Sequence, residues 1–288
     1  ITPEASFIDD LGADSLDLHA RDAGGLVGGV DGHGADGVQG DLLGLVLGSD
    51  HLVTVDLGLG RAPGSDMLTA RALRRKLDSN DNFPNDVYEL IQYLDEDSSD
   101  QQIKAVPGQG THIPLWILGS SLYGAQFAAY MGLPYAFASH FAPGMLEEAL
   151  VTYRTTFRPS KWLEKPYFMM GVGACAADTN EEAEYLRSSQ IQSFVRLRTG
   201  KPGKLPAPIH NISEHIPSNL LSAVNESLSC SATGNPEKVH KQFSDLISKY
   251  KPDEVIVTGA IHEHQARLKS YNIVANVLSN LTQKSKAA

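Results

Sequence analysis

"PLWILGSSLYGAQFAAYMGLP", residues 114–134, passes from a proline through an apolar run into Gly119, Ser120 and Ser121, and from there into ten residues of helical character. An apolar run of strand length, closed by a glycine turn and followed at once by a helix, reads as the βα half of a parallel unit. The alternation continues outward. Before it, Leu52–Leu59 reads as a buried strand and Leu68–Leu77 as a basic helix. Pro84 then opens a helix carrying Val87, Leu90, Ile91 and Leu94 at i, i+3, i+4 and i+7. Within the quoted stretch, the spacing predicts a strand at Ile113–Leu118 and a helix at Ser121–Tyr130. After it come a strand at Tyr135–Ser139, a helix at Met145–Phe157, a strand at Tyr167–Val172 and a helix at Glu181–Arg198. Gly200 to about Ser218 is a polar, proline-spotted excursion. Asn235 then caps and Pro236 begins a helix with Val239, Phe243, Leu246 and Ile247 on one face. Glu254–Thr258 is the last strand, and Glu263 to about Leu281 the last helix. Strands alternating with helices predict an α/β fold with a parallel sheet covered by helices.

Charge and composition divide the chain. Residues 1–60 carry eleven acidic residues and one basic residue, Arg21, which accounts for the whole formal net charge of −10. Residues 22–50 hold ten glycines and no lysine, glutamate, proline or aromatic residue. Such a segment has high backbone entropy and little side chain to bury, so 18–50 is expected to be weakly ordered unless something packs on it. The runs Leu42–Leu47 and Leu52–Leu57 are candidates to pair as strands. No basic cluster suggests nucleic acid as a partner. No apolar run approaches the roughly 20 residues of a membrane span, and no secretory leader is seen, so a cytoplasmic location is expected. Cys175 and Cys230 lack metal-ligand spacing and read as buried thiols. His262 and His264 are two residues apart, which suits a surface pair better than a metal site.

The quoted stretch also reads chemically. A strand ending in Gly-Ser-Ser at the mouth of a helix presents unpaired N–H groups, the positive end of the helix dipole and two hydroxyls at one point, the makings of an anion site. Gly119 lets a ligand approach the backbone, and Gly124 keeps a Cβ out of that space. The plainer alternative is that serine caps the helix and glycine turns the chain. "DLGLGRAPG", residues 56–64, ends a second strand in a glycine-rich turn bearing Arg61, a bidentate phosphate donor. Two other motifs fail on spacing. Gly119-Ser120-Ser121-Leu122-Tyr123-Gly124 places its second glycine one residue late for a nucleophile elbow, and Gly58 to Gly64 misses the dinucleotide fingerprint.

With "PLWILGSSLYGAQFAAYMGLPYAFASHFAP", "FRPS" and "DEVIVTGAIHEHQARLKSYNIVA", these segments resemble the bacterial luciferase-like, flavin-dependent monooxygenases, over about residues 55–281. The resemblance implies a (β/α)8 barrel that uses reduced FMN, supplied by a separate flavin reductase, to activate O₂ on a small organic substrate. It implies that Arg61, Gly119, Ser120, Ser121 and Gly124 contact the FMN phosphate, and that the 200–220 excursion is the substrate lid. A homodimer is a candidate assembly. Tyr123, Tyr135 and His140 lie near strand ends and are candidates either to line the flavin site or to pack. No catalytic residue is assigned.

A full-length relative would place about three further βα units, with the histidines beside the flavin ring, before "DLGLGRAPG". The expected barrel is therefore truncated at its front, an incomplete, C-shaped sheet with open parallel edges. The chain divides into three: 1–17, 18–50 and a flavin oxidoreductase domain at 51–288. "ITPEASFIDDLGADSLD", residues 1–17, resembles the start of an acyl carrier protein up to Ser15, where phosphopantetheine would be attached. The alternatives to an active oxygenase are a non-catalytic flavin-binding remnant, a fused reading frame, or a carrier-like interaction module.

Overall fold

A computed structural model describes residues 18–21, 54–61, 71–72, 82–96 and 102–287. The chain divides into two compact units, residues 1–136 with 149–167, and residues 137–148 with 168–288.

In the first unit, β1 (Leu18–Arg21) runs antiparallel to β2 (Thr54–Gly60), which runs parallel to β3 (Leu115–Gly119), with β4 (Tyr135–Phe137) next in order. The edge of β2 that was expected to lie open is therefore covered, by four residues from the start of the 18–50 segment. Leu42–Leu47, the helix at Leu68–Leu77 apart from the helical pair Arg71–Ala72, and the carrier-like residues 1–17 lie outside the described residues. Helix α1 (Phe83–Leu94) starts on its proline and buries Val87 and Ile91 as the spacing predicts. Helix α2 (Leu122–Met131) buries Gly124, Ala125, Ala128 and Ala129, residues short enough to bring its backbone close to β3. It ends at Gly132 in the left-handed region, φ 65°, where a Cβ would meet the Arg158 carbonyl oxygen at 2.5 Å. In α3 (Leu146–Thr156) the fully buried Tyr153 hydroxyl lies 2.9 Å from the Leu133 carbonyl oxygen and accepts the Tyr167 N–H at 3.0 Å.

In the second unit, β5 (Phe168–Ala176) is buried along its whole length. Met169–Gly173 pairs in parallel with β7 (Glu254–Thr258), and Gly173–Ala176 with β6 (Ser231–Gly234). A strand buried on both faces needs no alternation, which is why periodicity stopped it early at Val172. Strand β6, "SATG", was not expected at all, because four small residues carry no apolar signal. Helix α4 (Asn180–Arg198) is capped by Thr179, whose hydroxyl accepts the Glu182 N–H at 3.1 Å. The excursion is shorter than expected. It closes in α5 (Ile212–His215), and a further helix, α6 (Ser218–Ser227), follows, with Val224 fully buried. Ser188 holds it to α4 by donating to the Tyr185 carbonyl at 2.6 Å and accepting from Ile209 N–H at 2.8 Å; Tyr185 stacks on His210 with centroids 4.3 Å apart. Helix α7 (Pro236–Tyr250) opens as predicted, with Asn235 Oδ1 accepting the Lys238 N–H at 2.9 Å and Val239 and Phe243 fully buried. Helix α8 (His264–Ala287) ends the chain. No helix among the described residues is long and apolar enough to cross a membrane.

Candidate functional site

Strands β2 and β3 are parallel and in register, Gly60 opposite Leu118, so their C-terminal ends fall at one edge and Arg61 follows Gly60 level with Gly119. Two cross-strand contacts hold that register. Gly58 leaves room for the Leu118 side chain, which a Cβ would meet at 2.9 Å. Trp116 donates its indole N–H to the buried carboxylate of Asp56 at 3.1 Å, and its ring stands edge-on to Tyr167.

At the edge itself, Ser120 and Ser121 are half-buried and the first turn of α2 begins. Ser121 is the N-cap in extended conformation, φ −143° and ψ 173°, yet its hydroxyl makes no capping bond. The plain capping reading therefore does not describe this serine. The orphan N–H groups that every helix start carries keep their dipole and lack the usual side-chain acceptor. Arg61 is exposed, and its guanidinium carbon stands 4.0 Å from the centre of the Tyr123 ring. No carboxylate among the described residues pairs with it. Four polar groups of one sign preference, a guanidinium, two hydroxyls and a helix start, thus share one strand edge. Such a donor set suits an anion with several acceptor oxygens.

A Cβ on Gly124 would stand 3.2 Å from Tyr135 Cε2 and 3.4 Å from Gly119 Cα, and a Cβ on Gly119 3.5 Å from Gly124 Cα and the Tyr135 hydroxyl. The space beside both is filled by the Tyr135 ring and by the glycines' own close approach. Tyr135 is fully buried and donates to the Ser121 carbonyl at 3.2 Å, and burial pushes its phenol above the usual tyrosine range, so it stays a donor. It supports the turn from below. Tyr123 and Tyr135 have equivalent signals in the sequence, and the structure separates them: Tyr135 packs under the turn, while Tyr123 meets Arg61.

His140 belongs to the second unit. Its Nδ1 is buried without a hydrogen-bond partner among the described residues, and burial lowers its pKa to about 4, so the ring is neutral near pH 7. Cys175 and Cys230 are buried free thiols, raised by burial to about 12 and about 11. His262 and His264 are exposed. Between them Glu263 accepts the N–H groups of Gln265 and Ala266, bonds that hold its carboxyl below the usual range. Among the described residues no group of three histidine, cysteine or acidic side chains is placed to hold a metal ion.

Residues 92–271 match the family model of the luciferase-like monooxygenases. A luciferase-like monooxygenase of Escherichia coli K12 is 47% identical over 228 residues, covering 79% of this chain and 68% of that protein. The uncharacterized protein YvbT of Bacillus subtilis is 42% identical over 227 residues, 78% of this chain and 68% of the relative. Among solved structures, apo-MsnO8 superposes with a TM-score of 0.64 at 29% identity, over 78% of this chain and 68% of that one. The monooxygenase RslO1 of Streptomyces bottropensis, with a TM-score of 0.53 at 16% identity over 79% of this chain and 68% of that one, shares the fold. A match of this extent and identity places the chain in the luciferase-like monooxygenase family.

Proposed function

We propose that this chain serves an FMN-dependent monooxygenase of the luciferase-like class, and that Arg61 with the Gly119–Ser121 turn binds the flavin phosphate. The observation that carries the reading is the pairing of an N-cap serine that does not cap with an arginine at the same edge that no described carboxylate neutralises. A phosphate monoester dianion matches that set: the guanidinium fork takes two of its oxygens, the helix start favours its charge, and the Ser120 and Ser121 hydroxyls rotate to donate. Gly119 and Gly124 leave the backbone of the turn open to the phosphate, and Gly124 also admits the Tyr135 ring, which a Cβ there would meet at 3.2 Å.

Held at this edge by Arg61 and the Gly119–Ser121 turn, reduced FMN from a separate flavin reductase would supply the two electrons by which O₂ gives one oxygen atom to a small organic substrate and the other to water. The residues at the β2–β3 edge anchor the flavin through its phosphate end. In this reading the parallel βα units belong to a barrel of the (β/α)8 type, and the excursion at about 200–220 is its substrate lid. The family membership supports the oxygenase class, and the donor set supports the cofactor's phosphate.

Titration of the protein with FMN, followed by flavin fluorescence, tests the anchor. Saturation at micromolar FMN is expected, weakened at least about tenfold by Arg61→Ala, which is about 1.4 kcal/mol. Equal affinity in the variant would overturn the phosphate assignment.

A further inference from the structure

Arg61 sits on an exposed turn, where a long side chain would sample many rotamers, and fixing such a side chain on a ligand lowers affinity. The structure gives it a platform instead. Its guanidinium carbon lies 4.0 Å from the centroid of Tyr123. That ring is braced in turn: it stacks on Phe127 one helical turn later, with centroids 6.2 Å apart and planes at 17°, and Phe127 meets Phe83 of α1 at 5.5 Å. The arginine therefore rests on the end of an aromatic ladder that ties α2 to α1. A guanidinium lying on a ring engages it through its face, which leaves the in-plane N–H fork free to donate. Tyr123 is in the first turn of α2, so the guanidinium that rests on its ring lies against that turn.

We propose that Tyr123 is a positioning residue that pre-orders Arg61 for a phosphate monoester, and that the pair makes the site select flavin mononucleotide over unphosphorylated riboflavin. This rests on the phosphate reading of the site and adds to it the residue that makes the arginine selective. Tyr123 itself donates nothing to the phosphate. Its contribution is the ring face, so phenylalanine should replace it and an aliphatic side chain should not.

The test measures the dissociation constants of FMN and riboflavin side by side, by flavin fluorescence, for the wild type, Tyr123→Phe, Tyr123→Leu, Arg61→Ala and the Arg61→Ala/Tyr123→Leu double variant. Tyr123→Leu is expected to weaken FMN about three- to fivefold, the worth of a partly exposed cation–π contact, and to leave riboflavin unchanged. Tyr123→Phe should restore FMN affinity to within about twofold, and Tyr123→Leu should add nothing once Arg61 is alanine. Tyr123→Met, which keeps apolar bulk against Phe127 without a ring face, reads the same contact if leucine perturbs the helix. Equal loss of FMN and riboflavin affinity, or no loss while Arg61→Ala still weakens FMN tenfold, would overturn the positioning role and leave the phosphate site standing. An FMN-to-riboflavin ratio unmoved by Arg61→Ala would remove the phosphate site, and the positioning role with it.

Discussion

The imidazole of His140 occupies the place where a side chain at position 171 would begin: a Cβ on Gly171 would stand 2.5 Å from His140 Nδ1 and 3.1 Å from the Phe137 carbonyl oxygen. Glycine here has nothing to do with a turn. It is the residue that admits a neighbouring ring, and the turn is locked on the other side by Ser139, whose hydroxyl donates to the Gly171 carbonyl at 2.6 Å. Gly171→Ala should therefore expel the imidazole and destabilise the protein by about 1–3 kcal/mol, the range for overpacking a core, as a lowered urea midpoint with unchanged slope. An unchanged midpoint would show that the ring moves aside freely.

The same histidine makes stability pH-dependent. Burial lowers its pKa to about 4, below the ordinary imidazole value of 6.5, so folding opposes its protonation. Its contribution is whole above pH 6.5 and falls as pH drops from 6.5 toward 4, by up to about 1.4 kcal/mol per pH unit. His140→Phe, which cannot be protonated, should flatten the stability profile in that window. Parallel profiles for the variant and wild type between pH 7 and 4 would show that His140 does not titrate there.

Gly124→Ala sets two effects against each other. Alanine gains about 1 kcal/mol of helix propensity, but its Cβ would press on the fully buried Tyr135 ring at 3.2 Å. The net expectation is destabilisation of about 1 kcal/mol, with FMN affinity lowered as the turn is pushed outward. A stabilised variant would show that the turn yields without loss.

Trp116 and Asp56 give a third stability test. Trp116→Phe keeps an aromatic ring edge-on to Tyr167 but deprives a buried carboxylate of its indole donor. The expected loss is about 1–3 kcal/mol in urea unfolding, and Asp56→Asn in the same background should recover part of it by removing the charge. Additive effects of the two substitutions would argue against a shared bond.

The segment after α4 is a matter of local opening. Ser188→Ala removes the acceptor of the Ile209 N–H and should raise the rate of limited proteolysis within 200–211 about fivefold, the effect of one hydrogen bond on an opening equilibrium, without shifting the global midpoint by more than about 1 kcal/mol. Cleavage at the wild-type rate would mean that the Tyr185–His210 stack and the Gln192 bond to Ala207 hold the segment unaided.

What was legible in the chain was local. Pro84, Asn235 and Pro236 start helices by their own stereochemistry, the Val87–Ile91 spacing marks a buried face, and Gly119-Ser120-Ser121 before an alanine-rich run marks a strand that feeds a helix; none of these needs a distant partner. Arg61 and the serine turn could be named as one anion site because two parallel strands must end on the same side. Only the tertiary structure decided the rest. Strand β6 is held by a ladder to β5 some sixty residues earlier and has no apolar pattern of its own, and β1, at the start of a segment whose composition predicts weak order, pairs with β2. Tyr123 and Tyr135 have equivalent signals in the sequence, yet one carries a guanidinium and the other fills the gap left by two glycines. Periodicity reports which face of an element is buried, whereas the neighbour that covers it is fixed only when distant segments pack at full density.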